Sequence, residues 1–376
     1  MNRLRPVLVV TALLIRLPTF ASAQEKNAPP FKVGVTTRSF IPPEPYNWRG
    51  AQTHALITTI WYPADSAAVE QPQWIGSPNS PFARAGKAAN DAALAPSPAK
   101  LPLILLSHGT GASALMMAWL GTALASHGYI AAAVNHPGNN VLEPYTVQGF
   151  SLWWERAKDL SVVLDSMLAD STFGKRIDSG RIGAAGFSLG GFTMIEVAGG
   201  IGEPSRYAAF CKSPRADGMC VAPIEFPDII TKSEELAHAD KEFQTSLLDS
   251  SKSHRDPRIR AVFAISPALG PAFSIESLEK ISIPAEIVAG TEDSVVPVGS
   301  SAQFFAVHIP GAKLTLFPGA GHYTFLATCG DLGRRSRPDL CTDAPGVDRD
   351  TIHEKAADLA LSFFSDKIPS HILQTK

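Results

Sequence analysis

The chain has 376 residues, of which 45% are hydrophobic and 18% are charged, and its formal net charge is −2 at pH 7. This composition is typical of a globular protein with a sizeable core, built as one large domain or two ordinary ones. Because nucleic-acid binding needs a strong basic excess on one face, the balance of charges argues against a nucleic-acid partner.

The N-terminus has the three parts of a secretory signal peptide. Arg3 and Arg5 supply positive charge, residues 7–14 are apolar, and small residues ending at Ala23 form a cleavage site. A membrane anchor needs about 20 apolar residues, and this segment is interrupted by an arginine and a proline. We therefore predict a signal peptide at 1–23, no stable membrane anchor, and a secreted or periplasmic mature protein.

All four cysteines lie in the predicted mature chain. An even number in an exported protein indicates disulfide bonds. Of the three possible pairings we favour Cys211 with Cys220 and Cys329 with Cys341, because these are closest in sequence and would close loops rich in glycine, proline and charge. The chain has no C-x-x-C pair and no histidine at ligand spacing beside these cysteines, so we expect no metal site.

Two early strands are predicted at 31–40 and 56–62, where β-branched and aromatic residues lie close to proline and glycine. We expect them to pair as a hairpin. Residues 63–100 are rich in alanine, proline and serine, and predict a loop with at most one short helix.

From residue 101 onward, short apolar runs alternate with segments of helical periodicity. The run 101–106 is almost continuously apolar, as expected for a strand buried on both faces. Further strands are predicted at 129–134, 181–187, 259–265, 285–289 and 314–317. Helices are predicted up to about 126, over 151–168, from 189 onward and over about 351–364. This alternation predicts the α/β class with a mostly parallel sheet.

Residues 203–257 interrupt the alternation between two predicted core strands. They contain two of the cysteines, several prolines and a charged helical stretch near 232–248. We therefore predict that residues 24–376 form a single domain, in which 203–257 is a modest cap-like insertion over one end of the sheet.

The segment Gly186-Phe187-Ser188-Leu189-Gly190 matches the pattern G-x-S-x-G. In this motif the serine occupies a strained turn between a strand and a helix, so its neighbours must be small. The helix that follows points its free N–H groups and the positive end of its dipole at the site. A plain glycine turn would share the pattern, but this segment follows a predicted strand and opens a predicted helix. Ser188 is therefore the predicted nucleophile.

A serine hydroxyl needs a histidine base, and the base needs an acid that holds its tautomer. Where the nucleophile occupies such a turn, the order along the chain is serine, acid, histidine. Asp293 lies just after the predicted strand 285–289, and His322 follows the next strand, so both are expected at the carboxyl ends of parallel strands. They are the predicted acid and base, with the adjacent Glu292 as the alternative acid.

The first central strand is followed by His108-Gly109-Thr110-Gly111. A loop in this place supplies one N–H of an oxyanion hole, and the residue after the nucleophile supplies the other. We predict Thr110 and Leu189 as the donors, with Gly111 as an alternative to Thr110. His108 is interpreted as a packing or hydrogen-bonding residue.

Three aromatic residues, Phe187, Trp153 and Phe325, are candidates for the wall of a substrate site. Packing in the core explains a buried aromatic ring equally well. The sequence alone leaves the size of the site open.

These segments together resemble the dienelactone hydrolase-related branch of the α/β-hydrolase superfamily, and more narrowly bacterial relatives of plasma-type platelet-activating-factor acetylhydrolase. The resemblance covers roughly residues 31–364. It is carried by Trp61-Tyr62-Pro63-Ala64, residues 106–111 and 186–191, Gly290-x-x-Asp293-x-x-Val296-Pro297 and Gly321-His322. The chain departs from these groups at two positions: Ser188 replaces the cysteine nucleophile of dienelactone hydrolases, and Phe187 replaces a histidine that is frequent in the acetylhydrolases.

The resemblance implies an α/β-hydrolase fold and hydrolysis of a carboxylic ester, with a short acyl group or a lipid-like ester, through an acyl-enzyme. The residues independently predict the same Ser-Asp-His chemistry, which needs no metal or organic cofactor. The expected partner is a small-molecule or lipid ester substrate, and the oligomeric state is not predicted. A peptidase or amidase on the same scaffold is the alternative, followed by a non-catalytic binding protein.

Overall fold

The computed structural model describes residues 31–369. Within this range ten strands form one sheet. They are β1 (Lys32–Phe40), β2 (Leu56–Ala64), β3 (Gln71–Ser77), β4 (Ser80–Asn90), β5 (Leu101–Ser107), β6 (Ile130–Val134), β7 (Ile177–Phe187), β8 (Ile259–Ile265), β9 (Ala285–Gly290) and β10 (Lys313–Phe317).

Helices cover both faces of this sheet. They are α1 (Ala118–Ser126), α2 (Val147–Ser151), α3 (Glu155–Ala169), α4 (Leu189–Ala198), α5 (Pro204–Cys211), α6 (Ile229–Ala239), α7 (Lys241–Asp249), α8 (Ile275–Glu279), α9 (Ala302–His308), α10 (Asp331–Ser336), α11 (Pro338–Cys341) and α12 (Arg349–Lys367). Short 3₁₀ turns occur at Ala114–Met117, Gly218–Cys220, Gly270–Ala272, Val298–Ser300 and His322–Phe325.

The strands lie in the order β10-β9-β8-β7-β5-β6-β2-β1-β4-β3. From β10 to β6 every neighbouring pair is parallel, whereas β2 is antiparallel to both β6 and β1. The predicted central strands are all present, each within four residues of its expected bounds. The predicted α/β class with a mostly parallel sheet is therefore confirmed, and so is the antiparallel pairing of the two early strands.

The core forms two layers, one on each face of the sheet. Along β5 every residue is buried, and side chains alternate between the layers because successive residues of a strand point to opposite faces. Leu103 and Leu105 belong to the layer that includes Leu160 of α3. Ile104 and Leu106 belong to the layer that includes α1 and α12. Burial on both faces explains the continuous apolar run in the sequence.

The expectation of a loop at 63–100 is wrong. This segment contains β3 and β4, which pair antiparallel across a tight turn, with register shifts along the ladder. The segment has few β-branched residues, so it carries little intrinsic strand preference. Its strand structure depends on packing: Ala83, Ala85 and Ala88 are almost completely buried, and Ala83 also forms a bridge with Cys329.

Residues 203–257 contain α5, α6 and α7 and connect α4 with β8. Disulfides join Cys211 to Cys220 in this segment, and Cys329 to Cys341 further along the chain. These are the pairs that the sequence favoured. The predicted signal peptide at 1–23 lies outside the described residues. Among the helices in the described range, none is long and apolar enough to cross a membrane.

Helix α12 is anchored to the 3₁₀ turn 322–325 by a buried histidine. His353 Nε2 lies 2.9 Å from the carbonyl oxygen of Thr324, and its ring stacks on Trp119 with centroids 4.5 Å apart. Burial lowers the pKa of His353 to about 4. The hydrogen bond to Thr324 raises the pKa, but burial has the larger effect. The ring is therefore neutral in the folded protein at neutral pH.

This histidine makes a specific contribution to the pH dependence of stability. In the unfolded chain the pKa of His353 is about 6.5, whereas in the folded chain it is about 4. As the pH decreases between these values, the unfolded chain binds a proton that the folded chain does not bind. The free energy of unfolding therefore falls. Between pH 7 and pH 5 the contribution of this one group falls by about 2 kcal/mol. We expect His353→Phe to reduce the pH dependence by that amount in urea unfolding. His127→Phe, at an exposed histidine, is the matched control, and equal slopes in both variants would contradict the assignment.

Candidate active site

The turn between β7 and α4 carries Ser188. Its backbone has φ 56° and ψ −116°, a conformation that residues other than glycine rarely adopt. A Cβ atom at position 190 would lie 1.9 Å from the carbonyl oxygen of Ser107, so only glycine allows the turn to pack against the end of β5. These are the features expected of a serine held above the sheet by a strand–turn–helix motif.

The structure brings Ser188, His322 and Asp293 together. Ser188 Oγ lies 2.9 Å from His322 Nε2, and His322 Nδ1 lies 2.8 Å from Asp293 Oδ2. All three residues are buried, with only 5–8% of their surface accessible to solvent. A proton on Nδ1 that is donated to the carboxylate leaves Nε2 free to accept the serine proton, which is the arrangement that nucleophilic catalysis requires.

The acid position distinguishes Asp293 from its neighbour. Asp293 Oδ1 accepts a hydrogen bond from the backbone N–H of Val296 at 2.7 Å, which holds the carboxylate towards His322. The side chain of Glu292 is exposed, and its backbone N–H donates to the carbonyl of Ala320. The geometry therefore favours Asp293 over the alternative Glu292.

The loop after β5 approaches the serine closely. A Cβ atom at position 109 would lie 3.3 Å from Ser188 Cβ, so glycine allows the loop backbone to pass beside the nucleophile. Within residues 31–369, the backbone N–H groups of Thr110 and Leu189 donate to no protein acceptor. The N–H of Gly111 is already bonded to Asn139 Oδ1 at 2.7 Å. The arrangement therefore favours Thr110 over Gly111 as an oxyanion donor.

The segment 203–257 reaches this edge of the sheet from two sides. A Cβ atom at position 218 would lie 2.2 Å from the carbonyl oxygen of Ser294, the residue after Asp293. At position 111, a Cβ atom would lie 3.0 Å from Glu225 Cγ. Burial raises the pKa of Glu225, while Arg337 and His322 act in the opposite direction. No local sequence pattern links Glu225 with Gly111, which lies more than 100 residues earlier, so the proximity of Glu225 was not predicted.

The three aromatic candidates differ in position. Phe187 lies against His322, with the two ring centroids 4.8 Å apart. Phe325 is 0% exposed and packs behind Phe187, so it supports the site from the core and does not form its wall, contrary to the prediction. Trp153 is partly exposed and packs edge-on against Phe192 of α4 and Tyr207 of α5. It joins residues 203–257 to the body of the protein.

In the part of the chain that the structure describes, no group of three or more histidine, cysteine or acidic side chains is arranged to hold a metal ion. The polar groups around Ser188 are the ring of His322, the carboxylate of Asp293 and backbone N–H groups. This set can activate a hydroxyl and stabilise an oxyanion.

Comparison with known proteins gives partial matches in sequence and a nearly complete match in structure. Residues 82–151 match the family described as platelet-activating factor acetylhydrolase, isoform II. Lipase 1 of Moraxella sp. (strain TA144) is 35% identical over 80 residues, which is 21% of this chain and 22% of that protein. Cutinase est2 of Thermobifida alba is 33% identical over 133 residues, which is 35% of this chain and 40% of that protein.

The chain thus matches less than half the length of these curated relatives. A solved structure of a ferulic acid esterase from Streptomyces cinnamoneus is similar over 94% of this chain and 95% of that chain, with a TM-score of 0.62 and 20% identity. This likeness extends the agreement in fold to nearly the whole chain. The sheet, the strand–serine–helix turn and these matches identify the chain as a member of the α/β-hydrolase superfamily.

Proposed function

We propose that this protein is an exported serine carboxylic ester hydrolase that acts through Ser188, His322 and Asp293. The observation that carries the proposal is the continuous hydrogen-bonded chain from Ser188 Oγ through the His322 ring to Asp293 Oδ2. The backbone N–H groups of Thr110 and Leu189, which donate to no protein acceptor in the described part of the chain, support the same function.

Acylation begins when His322 Nε2 accepts the proton of Ser188 as Oγ attacks the ester carbonyl carbon. The carbonyl oxygen becomes an oxyanion, which the N–H groups of Thr110 and Leu189 stabilise. Asp293 stabilises the imidazolium that forms on His322. The imidazolium then gives its proton to the leaving alcohol, and the C–O bond breaks to leave an acyl-enzyme.

Deacylation repeats these steps with water. His322 accepts a proton from the water molecule, whose oxygen attacks the acyl carbon. The second tetrahedral intermediate uses the same two N–H donors. Its collapse returns the proton to Ser188 Oγ and releases the carboxylic acid, so the enzyme recovers its starting state.

The proposed substrates are esters with a short acyl group or lipid-like esters. Relatives with partial matches carry the names lipase and cutinase, and the structural relative is a ferulic acid esterase. Exposed apolar side chains flank the loop after β5. Val141 is tied to this loop, because its N–H donates to the carbonyl of Ala112, and the next residue, Leu142, is 64% exposed. Ile224, which precedes Glu225, is 61% exposed. Apolar groups in this position favour a substrate with an apolar portion.

We further propose that residues 24–376 form one domain in which 203–257 acts as a cap, and that residues 1–23 direct export. The contacts of Gly218 with Ser294 and of Glu225 with Gly111 support a cap beside the site. The two disulfides support export, because such bonds persist in oxidising compartments.

The central test is removal of the nucleophile. We expect Ser188→Ala to lower kcat for p-nitrophenyl acetate by at least about 10³-fold, because the remaining groups cannot form an acyl-enzyme. Initial rates on p-nitrophenyl esters from acetate to long acyl chains, and on the matching anilide, measure the loss and distinguish an esterase from an amidase. Ser66→Ala, at an exposed serine in the turn after β2, is the control. Equal activity of Ser188→Ala and wild type would refute the proposal.

The acid is tested by two neutral replacements at neighbouring positions. Asp293→Asn should lower kcat by about 10³- to 10⁴-fold, because an amide cannot stabilise the imidazolium of His322 and favours the wrong tautomer. Glu292→Gln should leave kcat within about twofold of wild type, because its side chain is exposed. Steady-state kinetics on p-nitrophenyl acetate make the comparison. A large loss confined to Glu292→Gln would assign the acid to that residue instead.

A further inference from the structure

A chain of buried polar side chains leads to the loop that carries Thr110. Ser107 Oγ lies 2.9 Å from His136 Nε2, and His136 Nδ1 lies 2.6 Å from Asp159 Oδ2. The order of groups repeats that of the proposed catalytic triad. All three side chains are 0% exposed, so this second serine, histidine and aspartate are not open to a substrate.

The charges in this buried chain are balanced. Asp159 accepts hydrogen bonds from Arg49 Nη2 at 2.8 Å to each oxygen, and the Tyr46 hydroxyl also donates to it. These bonds offset the cost of burying a carboxylate. Burial and the neighbouring arginines lower the pKa of His136 well below its usual value, so its ring is neutral. Its Nδ1 proton goes to Asp159, and Nε2 accepts the proton of Ser107.

His136 in turn orders His108. The backbone N–H of His136 donates to His108 Nε2 at 3.2 Å, which places the proton of the His108 ring on Nδ1. That proton is donated to the carbonyl oxygen of Gly109 at 2.7 Å. Burial also lowers the pKa of His108 well below its usual value, so a neutral ring with this one tautomer fits its surroundings. Arg156 donates to the carbonyl of His108 itself and fixes the preceding peptide.

The bond to Gly109 has a consequence for the proposed oxyanion hole. The Gly109 carbonyl and the Thr110 N–H belong to the same planar peptide group, in which a trans bond holds C=O and N–H pointing in opposite directions. A hydrogen bond at the oxygen therefore fixes the direction of the N–H and strengthens it as a donor by polarising the peptide. The next peptide is restrained as well, since the Gly111 N–H is bonded to Asn139 and the Gly111 carbonyl accepts from Tyr145.

We propose that His108 is a positioning residue that aims the Thr110 N–H at the oxyanion. The backbone N–H of His136 holds His108 in the required tautomer, and the bonds of the His136 ring to Ser107 and Asp159 hold His136 in place. This inference rests on the proposed esterase function. It assigns a role to a histidine that the sequence marked only as a packing or hydrogen-bonding residue.

The test compares two replacements of His108. His108→Phe keeps a flat ring but loses the Nδ1 donor, and should lower kcat for p-nitrophenyl acetate by about 10²-fold with little change in KM, because the lost interaction is made only in the transition state. His108→Asn places an amide N–H near the position of Nδ1 and should recover most of that loss. The matched control is His254→Phe, since His254 Nε2 also bonds a backbone carbonyl, that of Asp249, away from this loop.

Several outcomes would overturn the inference. A folded His108→Phe variant with wild-type kcat would do so, and so would an Asn variant no more active than the Phe variant. If His108→Phe does not fold, Ser107→Ala carries the test. It removes one hydroxyl from the chain and should lower kcat by about threefold or more at constant KM, and an unchanged kcat overturns the inference. Activity that survives Ser188→Ala refutes the esterase proposal itself, whereas an inactive Ser188→Ala with fully active His108 variants refutes only the positioning role.

Discussion

The close approach between the β7–α4 turn and the end of β5 is the constraint on which the site depends. β5 and β7 are neighbouring parallel strands, so their carboxyl ends lie side by side. Gly190 packs against the Ser107 carbonyl at a distance that leaves no room for a side chain, and Gly109 passes beside Ser188, where a Cβ atom would be tightly packed. One pair of strands thus positions both the serine and the loop that holds Thr110. The proposed nucleophile and oxyanion hole therefore share a rigid support.

The proposed acid and base come from the other half of the sheet. β8 lies between β7 and β9, so Asp293 is two strands away from Ser188, and the His322 ring spans the gap from beyond β10. Phe187 lies against that ring. His353 of α12 is hydrogen-bonded to the 3₁₀ turn 322–325, which begins at His322. Packed aromatic side chains and a buried hydrogen bond therefore limit the movement of the histidine. Such restraint keeps a base within reach of its proton.

Around this rigid edge lie two segments closed by disulfides. Residues 203–257 carry Cys211–Cys220 and contact the loops that hold Asp293 and Thr110. The second disulfide, Cys329–Cys341, closes a segment that follows the histidine turn and pairs with β4 through Cys329. Both segments lie outside the core strands of the sheet.

The sequence by itself determined the central strands, the strained serine turn and the chain order of the proposed nucleophile, acid and base, because each is encoded by consecutive residues or by position after a strand. The β3–β4 hairpin was visible only in the tertiary structure, because its alanine-rich strands have little intrinsic preference for strand conformation. The tertiary structure also placed Phe325 behind Phe187 and brought Glu225 close to Gly111. The hydrogen bonds that connect Ser107, His136 and Asp159 likewise form only in the folded chain. These contacts link residues that are 23 to more than 130 positions apart. Packing between elements, and not local backbone preference, selects them.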